Sequence, residues 1–219
     1  MNILMDPLPD SLTVSGRDYA IRSDFRTAIR FEELMRSGVP TKEQEAFAKD
    51  LCRLDPETEW DSALWMAKYR DGLELYYEEV PEELQGAIEG MIWFYGCGKE
   101  NIDRKQGKGS AKQVYSYQHD ADYIYAAFYE QYHIDLARQE LHWWKFSALF
   151  SALSDECMIS KIMMYRSIDT KDMDKGQRNF YNKMKRLYAL PKDITKEERE
   201  RRDRITEALL NGGDLTGLL

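Results

Sequence analysis

The chain has 219 residues, 43% of them apolar and 32% charged, so it can bury a core and is not a wholesale disordered polymer. Its formal charge of −8, from 31 basic and 39 acidic side chains, sets it against phosphate backbones unless its cations cluster. Cys52, Cys97 and Cys157 are widely spaced and odd in number, which argues against a disulfide framework and for a reducing cytosol. No apolar stretch approaches the ~20 residues that cross a bilayer. The opening Met1-Asn2-Ile3-Leu4-Met5-Asp6-Pro7 lacks the basic and apolar regions of a signal peptide. The expectation is a protein that stays in the cell that makes it.

The pattern is mainly α, with helical bundle-like halves and a short N-terminal β-hairpin. Leu12 and Val14, then Tyr19 and Ile21, alternate about Gly16 as the arms of a hairpin do. Ser23-Asp24 can cap a helix that carries Phe25, Ile29, Leu34 and Met35 and stops at Gly38-Val39-Pro40. Thr41 opens a second helix, expected to run to about Leu54, where Asp55-Pro56 stops it. The acidic stretch from Glu57 to Val80 has room for one helix, broken near Gly72. Pro81-Glu82-Glu83 reads as a helix start with proline in its first turn. Leu84, Ile88, Met91, Ile92 and Tyr95 then share one side, and Gly96-Cys97-Gly98 closes the helix.

Residues 99–112 hold five basic and two acidic side chains, two glycines and almost nothing apolar. That composition reads as a flexible basic linker between an N-terminal half, 1–98, and an aromatic-rich helical half, 113–191. In the second half, Asp120–His133 reads as a helix carrying Tyr123, Ile124, Ala127, Phe128 and Gln131. Asp135 is the expected cap of a central helix from Leu136 to Leu153, apolar almost all round. Shorter helices are expected near Glu156–Tyr165 and Gln177–Ala189, the latter with Phe180, Met184 and Leu187 in register. The remainder, 192–219, is a charged, partly mobile tail; Lys192 to Arg204 alone hold six basic and five acidic residues.

No catalytic constellation stands out. His119, His133 and His142 each lack a second His or Cys at helical spacing, so no metal or other cofactor is expected, and His142 beside Trp143 reads as a packed histidine. Glu78-Glu79, Glu82-Glu83 and Glu197-Glu198 lie in polar stretches and lack the burial that tunes a catalytic carboxylate. Gly107-Lys108-Gly109-Ser110 lacks the rest of a P-loop. The basic linker lacks interleaved aromatics for base stacking. The candidate partner-binding residues are Trp143 and Trp144, of which at least one must face the core, together with Met163 and Met164. From residues alone the chain is an α-rich, acidic, non-enzymatic binding protein.

Several motifs add to this. Asn2-Ile3-Leu4 with Asp6-Pro7-Leu8-Pro9, the hairpin at Gly16, and Asp24-Phe25-Arg26 with Phe31-Glu32 form a recognisable start. Trp93-Phe94-Tyr95-Gly96-Cys97-Gly98-Lys99 follows. The most specific run is Asp120-Ala121-Asp122-Tyr123-Ile124-Tyr125-Ala126-Ala127-Phe128, then Ile134-Asp135-Leu136 and His142-Trp143-Trp144-Lys145-Phe146. Tyr165-Arg166-Ser167-Ile168 and Tyr188-Ala189-Leu190-Pro191 complete the series. In order and spacing the chain resembles the bacteriophage Gp-fifteen family as far as about Pro191.

That family belongs to long-tailed phages and prophages of Gram-positive bacteria, with its gene usually just before the tape-measure gene. The resemblance implies a tail-assembly chaperone in the host bacterial cytoplasm. It would coat the tape-measure protein, and possible further partners are tail-tube subunits and further copies of itself. No catalytic residues come with the resemblance. Two rival readings stay open: a structural virion component such as a minor tail or head–tail connector protein, and a nucleic-acid-binding phage regulator.

Overall fold

The computed structural model describes residues 2–99 and 113–191, together with Ile205. The expected linker, apart from Lys99, and the expected tail, apart from Ile205, lie outside the described residues. The chain order is β1 (Ser11–Val14), β2 (Arg17–Ala20), α1 (Phe25–Arg36), α2 (Lys42–Leu54), α3 (Trp60–Tyr76) and α4 (Leu84–Tyr95). It continues with α5 (Ala121–Tyr132), α6 (Trp143–Ser151), α7 (Met158–Ser167) and α8 (Lys175–Leu187). The protein is mainly α, with one antiparallel hairpin. No helix among the described residues is long and apolar enough to cross a membrane.

The hairpin turns where expected. Ser15 and Gly16 both have positive φ, 50° and 80°, which matches the strand twist of a two-residue type I′ turn. Leu12 and Val14 are buried, and β1 packs on α4. The Asp24 side chain accepts from Arg26 N and caps α1. A capping box of Thr41 and Gln44 starts α2, which ends at Leu54 as the Asp55-Pro56 pair requires.

Four expectations need correction. First, α3 runs unbroken through Gly72. A Cβ there would sit 2.8 Å from Phe31 Cε2, so the glycine is where α3 and α1 approach closely, not where the helix breaks. Second, Pro81 precedes α4, which is capped by Glu83 through Gln85 N and Gly86 N. Third, α4 buries Ala87, Met91 and Phe94, while Leu84 and Ile92 stay exposed. Fourth, α6 begins at Trp143, not Leu136. Phe25 N donates to Leu141 O, Trp143 N to Ser23 O, and Leu141 N to Asp24 Oδ2. Arg26 Nη2 donates to the carbonyls of Leu136 and Gln139. Residues 136–138 form a turn closed on Asp135 O, and these long-range bonds keep 139–142 out of the helix, so local apolar content does not decide the helix start.

One core spans the expected 99–112 boundary. Phe146 stacks on Phe25 at 4.7 Å between ring centroids and on Phe128 at 4.9 Å, so it joins α1, α5 and α6. At its other end Arg166 and Asp120, both nearly fully buried, form a bidentate pair at 2.6 and 2.9 Å. Arg166 also donates to Val114 O and Tyr188 O, and Asp120 Oδ2 accepts from Ser116 N. The pair thereby ties the approach to α5, the α5 N-terminus, α7 and the exit from α8.

Two outcomes follow in urea unfolding. Gly72→Ala should destabilise by about 1–3 kcal/mol through overpacking against Phe31, more than the ~1 kcal/mol that alanine adds to a helix. Arg166→Met should cost about 3–5 kcal/mol by stranding a buried carboxylate. The double variant Asp120→Leu with Arg166→Met should lose clearly less than the sum of the two single losses; additive losses would contradict the coupling.

Candidate functional site

The histidines, weighed in the sequence and set aside, have structural roles where the fold describes them. His142 is the N-cap of α6: Nδ1 accepts from Trp144 N at 3.1 Å, and Nε2 lies 3.0 Å from Pro9 O. Because Trp144 N is a donor, Nδ1 must be bare and the proton sits on Nε2, facing the Pro9 carbonyl. Burial lowers the imidazole below its ordinary value; the Pro9 carbonyl opposes that shift, Lys145 adds to it, and Asp10 opposes it. His133 has φ of 55° and caps the C-terminus of α5, while His119 is exposed. Among the described residues no group of three or more His, Cys, Asp or Glu is placed to hold a metal ion.

Glu79, Glu83, Glu32 and the Tyr95 phenol are equally engaged. Glu79 pairs with Arg17 at the surface, and Glu83 is a helix cap. Glu32 is buried, and its two oxygens accept from Arg36 Nε at 2.8 Å and Tyr95 Oη at 2.7 Å. Burial, and then the Glu32 charge, push the Tyr95 phenol far above its ordinary range. A phenol so raised stays protonated and keeps donating. Burial likewise pushes the Cys97 thiol up, away from a reactive thiolate.

Of the four expected partner-binding residues, Trp143 and Trp144 are buried. Their indole N–H groups donate to Tyr95 O and Phe94 O, each at 2.8 Å. In this fold they are core residues joining α6 to the end of α4, not surface anchors. Met163 is half-buried against the core, whereas Met164 is exposed, as is Met158 one and a half turns earlier on α7. The structure does not bring the four together on one surface.

A different surface stands out on α5. Ile124, Ala127 and Phe128 face inward; Tyr125 and Tyr129, the latter 55% exposed, lie on one flank of the helix, and Tyr123 is exposed on the other. Tyr125 and Tyr129, one turn apart, are stacked with ring planes 16° apart, and Tyr125 Oη donates to Asp135 Oδ1. The result is a flat aromatic ledge with polar tips. Helical spacing alone does not mark the ledge: at about 100° per residue Tyr129 falls opposite Ala127, but Tyr125 lies only about 60° from the buried Phe128.

The family model described as Bacteriophage Gp15 protein matches residues 4–190. The chain belongs to that family. The match spans both sides of residues 99–112 and includes the ledge, the buried tryptophans and Arg166, and it makes the chain a bacteriophage structural or assembly protein. No curated protein and no solved structure matches the chain.

The His142 geometry has a pH consequence. The imidazole is neutral in the fold, and its pKa there is depressed, so the unfolded chain binds the proton first, near the ordinary value of about 6.5. This contribution to stability is whole above about pH 6.5 and falls as the pH drops below it. The urea midpoint should therefore decline between about pH 7 and 5.5. His142→Asn keeps a capping acceptor, should cost about 1 kcal/mol at neutral pH, and should decline less steeply. An unchanged slope would assign the pH dependence elsewhere.

Proposed function

We propose that this protein is a phage tail-assembly chaperone. It binds the tape-measure protein and keeps it in solution until tail-tube subunits polymerise around it, in the cytoplasm of the bacterial host. It acts by binding, without catalysis. Two things support the reading: membership of the family whose resemblance implies this role, and the solvent-facing tyrosine ledge on α5, which is the observation that carries it.

A tape measure is a long helical chain with an apolar stripe that aggregates if left bare. Covering it calls for flat aromatic surface at low entropic cost. Tyrosine supplies that with two side-chain torsions and a polar tip that stays hydrated until the partner arrives. The stacked Tyr125 and Tyr129 rings suit a helix laid across them. Glu32, His142 and Cys97 support binding over catalysis, because each is occupied by a structural partner or raised away from reactivity.

Co-expression with the tape-measure protein of the same phage tests the proposal. The tape measure should precipitate alone and remain soluble, with this protein bound, when the two are made together. Tyr125→Ala with Tyr129→Ala should leave the fold intact and weaken capture by tenfold or more, the scale of about 2 kcal/mol for a hot-spot side chain. A tape measure that still precipitates, with this protein free in the supernatant, would overturn the reading. Stoichiometric recovery of the protein in purified virions would favour a virion component instead.

A further inference from the structure

Two exposed surfaces of opposite charge lie outside the core on different elements. The first is α8, which packs on α7 and buries none of its own residues. It carries Lys175, Arg178, Lys183, Lys185 and Arg186 and no acidic residue. Phe180, Met184 and Leu187 form an apolar stripe along it; Phe180 is 49% exposed and Leu187 64%. Arg178 is spent on the carbonyls of Thr170, Lys171 and Met173, and Lys185 on that of Ile168. Lys175, Lys183 and Arg186 form no ion pair among the described residues. At about 100° per residue Lys183 borders the stripe, with Arg186 and Lys175 farther round the same side of the helix.

The second surface is the turn from α2 into α3. Leu54, 79% exposed, and Trp60, 41% exposed, flank Asp55, Glu57 and Glu59, with Asp61 following. No basic residue lies in 54–62. Asp55 is turned into the loop, accepting from Glu57 N and Thr58 Oγ1. The neighbouring Arg53 is paired with Asp50. Glu57, Glu59 and Asp61 form no ion pair among the described residues.

We infer that these two surfaces bind each other between copies, the basic stripe of α8 on one chain seating against the acidic, Trp60-bearing α2–α3 turn of the next. Three uncommitted cations lie on one side of the α8 stripe, and three uncommitted anions lie between and beside Leu54 and Trp60. Contact therefore pairs charge and buries apolar area together. Although each chain carries a net charge of −8, screening over about 8 Å at physiological salt leaves the local match to decide. Because the two surfaces differ, the contact is heterologous, and it builds rings or open chains of subunits instead of closing as a dimer. This does not rest on the tape-measure reading, and it leaves Tyr125 and Tyr129 uncovered.

Sedimentation velocity on the full chain tests it. The wild-type protein should gain mass beyond two chains as concentration rises, and lose it at high salt. One variant, Phe180→Ser with Lys183→Gln, removes the α8 side. Another, Leu54→Ser with Glu57→Gln and Glu59→Gln, removes the acidic side. Each alone should sediment as a single chain with an unchanged circular dichroism spectrum. Mixed in equal amounts they should form a two-chain species and stop, since each supplies only one working surface. A wild-type protein that stays monomeric at every concentration would overturn the inference, as would variants that assemble like the wild type or a mixture that forms nothing.

Discussion

A carboxylate and a guanidinium buried against each other govern the second half of this protein. Asp120 and Arg166 have been withdrawn from water, and each must find full compensation within the fold. Arg166 does so with four hydrogen bonds, to both oxygens of Asp120 and to the carbonyls of Val114 and Tyr188. Asp120 adds the amide of Ser116. Each bond fixes one segment relative to another, so the start of α5, the length of α7 and the place where the chain leaves α8 become one problem with one solution. Such a pair adds little net stability against an apolar equivalent, but it penalises every arrangement that separates its members.

The same economy explains the aromatic motifs that make the chain recognisable. Trp143 and Trp144 are paired in sequence because two successive indoles must reach two successive carbonyls, those of Tyr95 and Phe94. Gly98 has a φ of 67°, and a Cβ on it would meet Trp144 Cη2 at 2.7 Å, so glycine is demanded by backbone and neighbour together. Asp24, Phe25 and Arg26 act as a unit: one caps α1, one stacks on Phe146, and one holds the carbonyls of Leu136 and Gln139. The family's motifs are therefore chiefly the contacts by which residues on either side of 99–112 share a core. They identify the fold more directly than they locate a binding surface.

Local chemistry was legible where it acts locally. The turn at Gly16, the Asp24 cap, the Thr41 capping box and the stop at Asp55-Pro56 are all short-range effects, and the structure has them where the sequence places them. What failed was decided at long range. Gly72 breaks nothing because Phe31 fills the space beside it, and residues 136–142 stay out of α6 because residues 23–26 bond to Leu136, Gln139, Leu141 and Trp143. Trp143 and Trp144 look like anchors in a sequence, yet nothing in their spacing shows that two carbonyls across the core await their N–H groups. The α5 tyrosines were missed for the opposite reason. A helix rich in aromatics on both faces conceals which face is wet, and the contrast in burial between Phe128 and Tyr129 is a tertiary fact.

The central division is between a core built from the recognisable aromatics and the proposed binding surface on α5, and side-chain footprinting with hydroxyl radicals reads it directly. In the free protein Tyr125 and Tyr129 should be modified readily, while Trp143 and Trp144, buried in the fold, stay protected. In the complex with the tape-measure protein the two tyrosines should become protected and the two tryptophans should not change. Tyrosines modified equally in both states, or tryptophans that are reactive in the free protein and protected in the complex, would contradict the account.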